Sequence, residues 1–234
     1  MPSATPAHDG KPAASACSYT GPVSGLGLNQ PYDVAVDSAG NVIIADTLAN
    51  CVRKVDTAGN VTRIAGGGAT TTCNASGPAT AVSLSAPRGV AVDASGTVYI
   101  ADTTRNCVRR VTGGNVSSVA GGGATTGCTG SAAASAVSLS RPIDVAVDTT
   151  GAVYIADTGR ACVRRVESNT ATVAMGGGAT TACASAVSPT AISLSAPEGV
   201  AVDPTGTVYV VDTGRRCIRA ANGATTRRVA LTGG

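Results

Sequence analysis

The sequence predicts an all-β fold built from four like sheets, and three observations carry that expectation. The 234-residue chain repeats itself four times, with Pro31, Pro87, Pro142 and Pro197 opening units 56, 55 and 55 residues apart. Self-similarity at such a period marks a repeat architecture. Eight cysteines keep step with it, Cys17 to Cys51, Cys73 to Cys107, Cys128 to Cys162 and Cys183 to Cys217 each standing 34 residues apart. Finally, there is no Trp and no Phe, but 30 Gly and abundant Ala, Val, Ser and Thr. Small and β-branched side chains suit closely stacked sheets better than packed helices.

Each unit resolves into four short extended runs separated by Gly, Asp and Asn turns. The opening proline leads YDVAVD, RGVAVD, IDVAVD or EGVAVD, and a turn with Gly at its third place follows (SAGN, ASGT, TTGA, PTGT). The second runs are VIIADT, VYIADT, VYIADT and VYVVDT; the third are CVRKV, CVRRV, CVRRV and CIRAA. The last are VTRIAGGG, VSSVAGGG, ATVAMGGG and TRRVALTGG. The first two runs are apolar on both faces and must be covered on both. The third and fourth mix Val with Arg, Lys, Thr and Ser, which gives each sheet a buried inner edge and a wetter outer edge. Radial blades of a β-propeller require that gradient, whereas a sandwich shows one apolar face in every strand.

The pattern P-x-G/D-V-A-V-D, G-x-V-Y-I-A-D-T, N-x-V-R-x-V resembles the NHL repeat family of β-propellers over residues 31 to 234. The sequence departs from the common form by placing Cys51, Cys107, Cys162 and Cys217 where many such repeats have arginine, and by carrying four units where about six are usual. The resemblance therefore implies four NHL-like four-stranded blades. A Pro/Ala/Ser-rich tail, 1–16, precedes units 17–72, 73–127, 128–182 and 183–234. Its composition suits an extended or polyproline segment lying along another surface.

CSYTGPVSGLGLNQ at 17–30 matches the connector CNASGPATAVSLSA at 73–86, so each natural unit contains one cysteine pair. Unit logic favours one disulfide per unit: Cys17–Cys51, Cys73–Cys107, Cys128–Cys162 and Cys183–Cys217. The rival scheme joins Cys51–Cys73, Cys107–Cys128 and Cys162–Cys183, with Cys17–Cys217 closing the ring. Each crosslink is expected to add roughly 3–4 kcal/mol by loop entropy. Disulfides imply an oxidising compartment. The first twenty residues lack the apolar core of a secretory signal, so export implies that Met1 is not the natural start or that a leader is absent from this sequence. No apolar run approaches a membrane span.

Charge and motif chemistry point away from catalysis. Related propellers include lyases and amidating enzymes that use histidine, and here the single histidine is His8, in the tail. Convergent zinc ligands are not expected, no cofactor is implied, and no catalytic or metal-binding residues are assigned. Asp37, Asp93, Asp148 and Asp203 close the first runs and Asp46, Asp102, Asp157 and Asp212 the second; such aspartates accept backbone N–H groups in turns. The Gly66–Gly68, Gly121–Gly123 and Gly176–Gly178 stretches have no following helix or Lys-Ser/Thr, which excludes a P-loop, and read as flexible turns. Net charge is +3, too weak for nucleic acid. Arg53, Lys54, Arg109, Arg110, Arg164, Arg165 and Arg219 in third strands, with Arg105, Arg160, Arg215 and Arg216 before them, read as solvated charge that discourages edge pairing.

Asn60-Val-Thr, Asn74-Ala-Ser and Asn115-Val-Ser fit the N-glycosylation pattern, to be used if the source is eukaryotic. The expectation is a secreted, non-catalytic structural or interaction module: a self-assembling, glycosylated fibre or matrix subunit, or a cell-surface adhesion domain. Its expected partners are copies of itself or extracellular matrix and surface proteins. The alternatives are a glycan- or peptide-binding propeller and a calcium-assisted, lyase- or lactonase-like enzyme.

Overall fold

In the computed structural model the described residues are 17–183, 186–223 and 225–229; the tail 1–16 and its His8 lie outside them. Four antiparallel sheets follow one another along the chain. Blade 1 holds Pro31–Val36, Val42–Asp46, Cys51–Val55 and Asn60–Gly66, and blade 2 holds Pro87–Val92, Val98–Asp102, Cys107–Thr112 and Asn115–Gly121. Blade 3 holds Pro142–Val147, Val153–Asp157, Cys162–Glu167 and Thr170–Gly176, and blade 4 holds Pro197–Val202, Val208–Asp212, Cys217–Asn222 and Thr225–Arg228. These are four propeller blades, with strands ordered from the inner, proline-opened one to the outer one.

Turn chemistry fixes each register. In blade 1 the Asp37 Oδ1 accepts the amides of Ala39 and Asn41 at 3.0 and 2.9 Å, and Gly40 sits at φ +83°, a conformation that glycine adopts without strain. The hairpin pairs Val34 with Ile44, and the same pairing recurs as Val90–Ile100, Val145–Ile155 and Val200–Val210. A single 3-10 turn then links the second and third strands, ending on a left-handed residue: Asn50, Asn106, Ala161 or Arg216.

The connectors add what the sequence reading did not foresee. Gly21–Pro22, Gly77–Pro78 and Ser131–Ala133 pair with the outer strand of the blade they precede, making a short fifth strand in blades 1 to 3. Nor are the triple-glycine stretches loose turns. A Cβ on Gly68 would collide with the backbone of Ala81, because the chain pairs there in parallel with the next connector, Thr70 against Val82.

The core lies between blades rather than within one. Ile43, Ala45, Val52 and Ala65 of blade 1 pack with Val82, Leu84, Val90 and Ile100 of the next unit. The same arrangement joins blades 2 and 3 through Tyr99, Val108, Val145 and Ile155, and blades 3 and 4 through Tyr154, Val163, Val200 and Val210. Among the described residues no such cluster joins blade 4 to blade 1.

Candidate functional site

Two uncovered faces mark the ends of the blade series. Val34 is 59% exposed on blade 1, whereas its counterparts Val90, Val145 and Val200 are 4%, 3% and 7% exposed. Beside it Tyr32 and Val36 are also exposed, although the Arg88 guanidinium stacks on the Tyr32 ring at 4.9 Å. On blade 4 Val211 is 43% exposed, where Ala45, Ala101 and Ala156 of the other blades are wholly buried. Neighbouring Ala201 is exposed as well.

Along the inner strands two aspartates bridge blades. Oδ2 of Asp33 accepts the Val90 amide and Oδ2 of Asp144 accepts the Val200 amide, both at 2.8 Å. Their other oxygens accept the amides of Val34 and Val145 within their own strands. Burial pushes Asp144 up to about 6 against the pull of the Val200 amide, with the charge of Asp33 adding to the rise. Burial likewise raises Asp33.

The second-strand aspartates do a different task, and here the structure corrects the reading of the arginines. Asp46, Asp102, Asp157 and Asp212 are fully buried, as are Arg53, Arg109, Arg164 and Arg219, which were expected to be solvated. Each Arg Nε donates to an Asp Oδ2 at 2.7, 2.9, 2.9 and 2.9 Å. The Asp Oδ1 accepts the amide of Asn29, Ser85, Ser140 or Ser195 at 2.7 Å. The physical reason is the hairpin: an Asp at the end of the second strand faces the third strand, so a charged side chain there is paired rather than wet. Arg105, Arg160 and Arg215 also work inward, holding the connectors through Ser83, Ser138 and Ser193. Arg110 and Arg165 stay on the surface side, bonded to Ser117 and Glu167.

First-strand aspartates stay with their turns. The Thr205 hydroxyl and the Thr207 amide hold Asp203 down to about 2. Tyr99, Tyr154 and Tyr209 donate to Asp93, Asp148 and Asp203 at 3.0, 3.3 and 3.2 Å.

Three cysteine pairs are bonded as unit logic favoured: Cys73–Cys107, Cys128–Cys162 and Cys183–Cys217. The fourth pair, Cys17 and Cys51, stands in side-chain contact at the equivalent place in its unit, with no bond between the sulfurs. That contact, with Arg63 alongside, holds the Cys17 thiol down to about 7 against its burial, while Cys51 is pushed up. The other three connectors are pinned by the parallel pairing at Thr70, Thr125 and Thr180; among the described residues nothing equivalent pins the connector of blade 1.

Asn60, Asn74 and Asn115 are all exposed. The Asn60 side-chain amide is held by the Asp56 carboxylate at 3.1 Å. A groove of about 400 Å³ between blades 1 and 2 is lined by Asp37, Lys54, Arg63 and Thr80 among others. Among the described residues, the one grouping of potential metal donors within mutual reach is Cys128, Asp157 and Cys162, and its sulfurs are spent in a disulfide. Calcium favours six to eight oxygen donors. In the inner-strand aspartates Asp33 and Asp144 every carboxylate oxygen accepts a backbone amide.

The NHL repeat family profile matches residues 84–111, 139–166 and 194–220, which are the first three strands of blades 2, 3 and 4 with the connector ends that lead into them. No curated protein matches the sequence. Among solved structures, the fold is similar to that of a catalytically inactive virginiamycin B lyase from Staphylococcus aureus with quinupristin, at 14% identity and a TM-score of 0.58, covering 88% of this chain and 57% of that one. It is also similar to a gluconolactonase from Xanthomonas campestris, at 18% identity and a TM-score of 0.58, covering 88% and 65%. An auxiliary nutrient binding protein from Bacteroides ovatus is matched at 16% identity and a TM-score of 0.60, covering 88% and 49%. The chain thus spans roughly half to two thirds of the length of these propellers. Three of its four blades match the NHL repeat, and the four sheets are arranged as the blades of a β-propeller.

Proposed function

We propose that the chain is a secreted, non-catalytic structural module that assembles with copies of itself, as a fibre or matrix subunit or as a cell-surface adhesion domain. The observation that carries this reading is the pair of uncovered apolar faces at Val34 and Val211. Apolar side chains in contiguous exposed patches mark interaction sites. The disulfides support an oxidising compartment, and the engagement of the blade carboxylates in amide and arginine contacts supports a framework role for them. Light scattering on the oxidised full chain across a range of concentrations tests the reading. A mass above the 22.6 kDa of one chain is expected, and a single-chain mass throughout would overturn it.

A second reading is favoured by the groove between blades 1 and 2, whose Lys54, Arg63 and Asp37 stand beside apolar Ile43 and Val98. Mixed lining of that kind suits a sugar or peptide, and a glycan array returning one specific ligand would favour it. A calcium-assisted lyase or lactonase is the remaining alternative, supported by the fold shared with lyase and gluconolactonase propellers, and stoichiometric calcium by metal analysis would favour it.

A further inference from the structure

We propose that blade 4 of one chain receives blade 1 of a second copy, head to tail, and that two chains so joined close one ring. The proposal rests on the self-assembling reading above and names its partner and its junction.

The three junctions inside the chain are the template. In each, the inner strand of the following blade sets its valine against the second strand of the preceding one, as Val90 does against Ile43 and Ala45. The last blade presents the receiving half of that arrangement without an occupant, at Ala201, Tyr209 and Val211. The first blade presents the inserting half without a receiver, at Val34 and Val36. Both halves stay uncovered in the same structure, so the chain does not use its own blade 1 to cover its own blade 4.

A second regularity fixes the phase. Two residues after each opening proline the chain reads Asp33, Gly89, Asp144 and Gly199. The aspartates reach forward to the next blade. Gly89 makes room for the aspartate that follows it: a Cβ there would stand 2.6 Å from the Asp144 Cα and 2.8 Å from its Oδ1. Gly199 has no following aspartate. A Cβ there would meet Val211 at 3.0 Å, and Asp144 of the blade before it at 3.9 Å. Asp33 is the aspartate that no preceding glycine receives. Seating Asp33 of one copy at Gly199 of the other continues Asp, Gly, Asp, Gly without a break. Two such junctions, related by a two-fold axis, join the eight blades of two chains into one ring. A contact between different surfaces that closes after two copies gives a discrete particle instead of a filament.

Sedimentation velocity on the oxidised full chain, with the variants V34D and V211D, tests this. Both residues face solvent in the single chain, so each variant keeps the far-ultraviolet spectrum and the three disulfides of the parent. The parent is expected at twice the chain mass, and each variant alone at the single-chain mass. Mixing the two variants restores a two-chain species through the one sound junction they share, at a concentration at least tenfold higher than the parent needs. If V211D pairs as well as the parent, the contact is Val34 face to Val34 face and the head-to-tail junction is wrong. If both variants pair as the parent does, association uses another surface; the self-assembling reading stands and this junction falls. An open polymer overturns closure by two. A parent that stays single at every concentration removes the self-assembling reading itself.

Discussion

The Asp144 carboxylate accepts the Val200 amide at 2.8 Å across the boundary between blades 3 and 4, and the bond ties an ionisable group to the seam that holds the blades together. Asp33 makes the same bond to Val90 one pair of blades earlier. At these two of the three internal seams the inner strands are joined by a side-chain to backbone contact. Each seam has its own chemistry, and each can be probed separately.

The pH dependence of the Asp144 seam is opposite to that of an ordinary salt-bridged carboxylate. Its folded value, raised by burial to about 6 from the ordinary aspartate value of 3.8, means that the native state binds the proton more tightly than the unfolded state. Stability from this group is then highest below the unfolded value and declines as pH rises through the folded one. Carboxyl carbon NMR is expected to place the Asp144 midpoint near 6 and that of Asp203 near 2. An Asp144 midpoint at or below 4 would contradict the buried seam.

Burial separates arginines that look alike in sequence. Replacing Arg109 by Met leaves Asp102 buried without its 2.9 Å partner and should cost about 3–5 kcal/mol. The same change at neighbouring Arg110, bonded to Ser117 at an exposed site, should stay within about 0.5 kcal/mol. Chemical denaturation of both variants checks the contrast, and equal effects would mean that Arg109 is wet.

Thiol chemistry should single out the first blade. With the Cys17–Cys51 pair reduced, alkylation near pH 7.5 is expected to label half-buried Cys17, whose thiol is held down to about 7, ahead of buried Cys51. Peptide mapping without reductant should recover Cys73–Cys107, Cys128–Cys162 and Cys183–Cys217 as crosslinks. A Cys51–Cys73 crosslink would support the rival connectivity.

Glycan attachment should follow the freedom of the side-chain amide. Expression in a eukaryotic secretory host is expected to give higher occupancy at Asn115 than at Asn60, whose amide bonds Asp56 at 3.1 and 3.3 Å. Intact glycopeptide mass spectrometry checks this, and equal occupancy would mean that the Asp56 contact does not restrain acceptance.

The blades themselves were legible in the sequence, because the opening proline, the Gly-bearing turn and the cysteine interval recur in step and each has a local physical cause. The buried arginines were not. Val-Arg alternation in CVRRV reads as one apolar and one wet face, and only the hairpin brings Asp102 opposite Arg109. A signal was nonetheless present, since an Asp stands seven residues before the arginine in every blade: Asp46 and Arg53, Asp102 and Arg109, Asp157 and Arg164, Asp212 and Arg219. The uncovered ends were beyond sequence reading altogether. Val34 has the same local pattern as Val90, and nothing in that pattern records that one is exposed and the other buried. The Asp and Gly alternation was visible as a variable position, but its meaning depends on which strands become neighbours.

Counting sheets in class averages of the oxidised particle tests the central claim most directly. The account predicts a ring of eight blades contributed by two chains, with the blade 4 to blade 1 seams spaced like the internal ones. A ring of four blades closed by a single chain would contradict it.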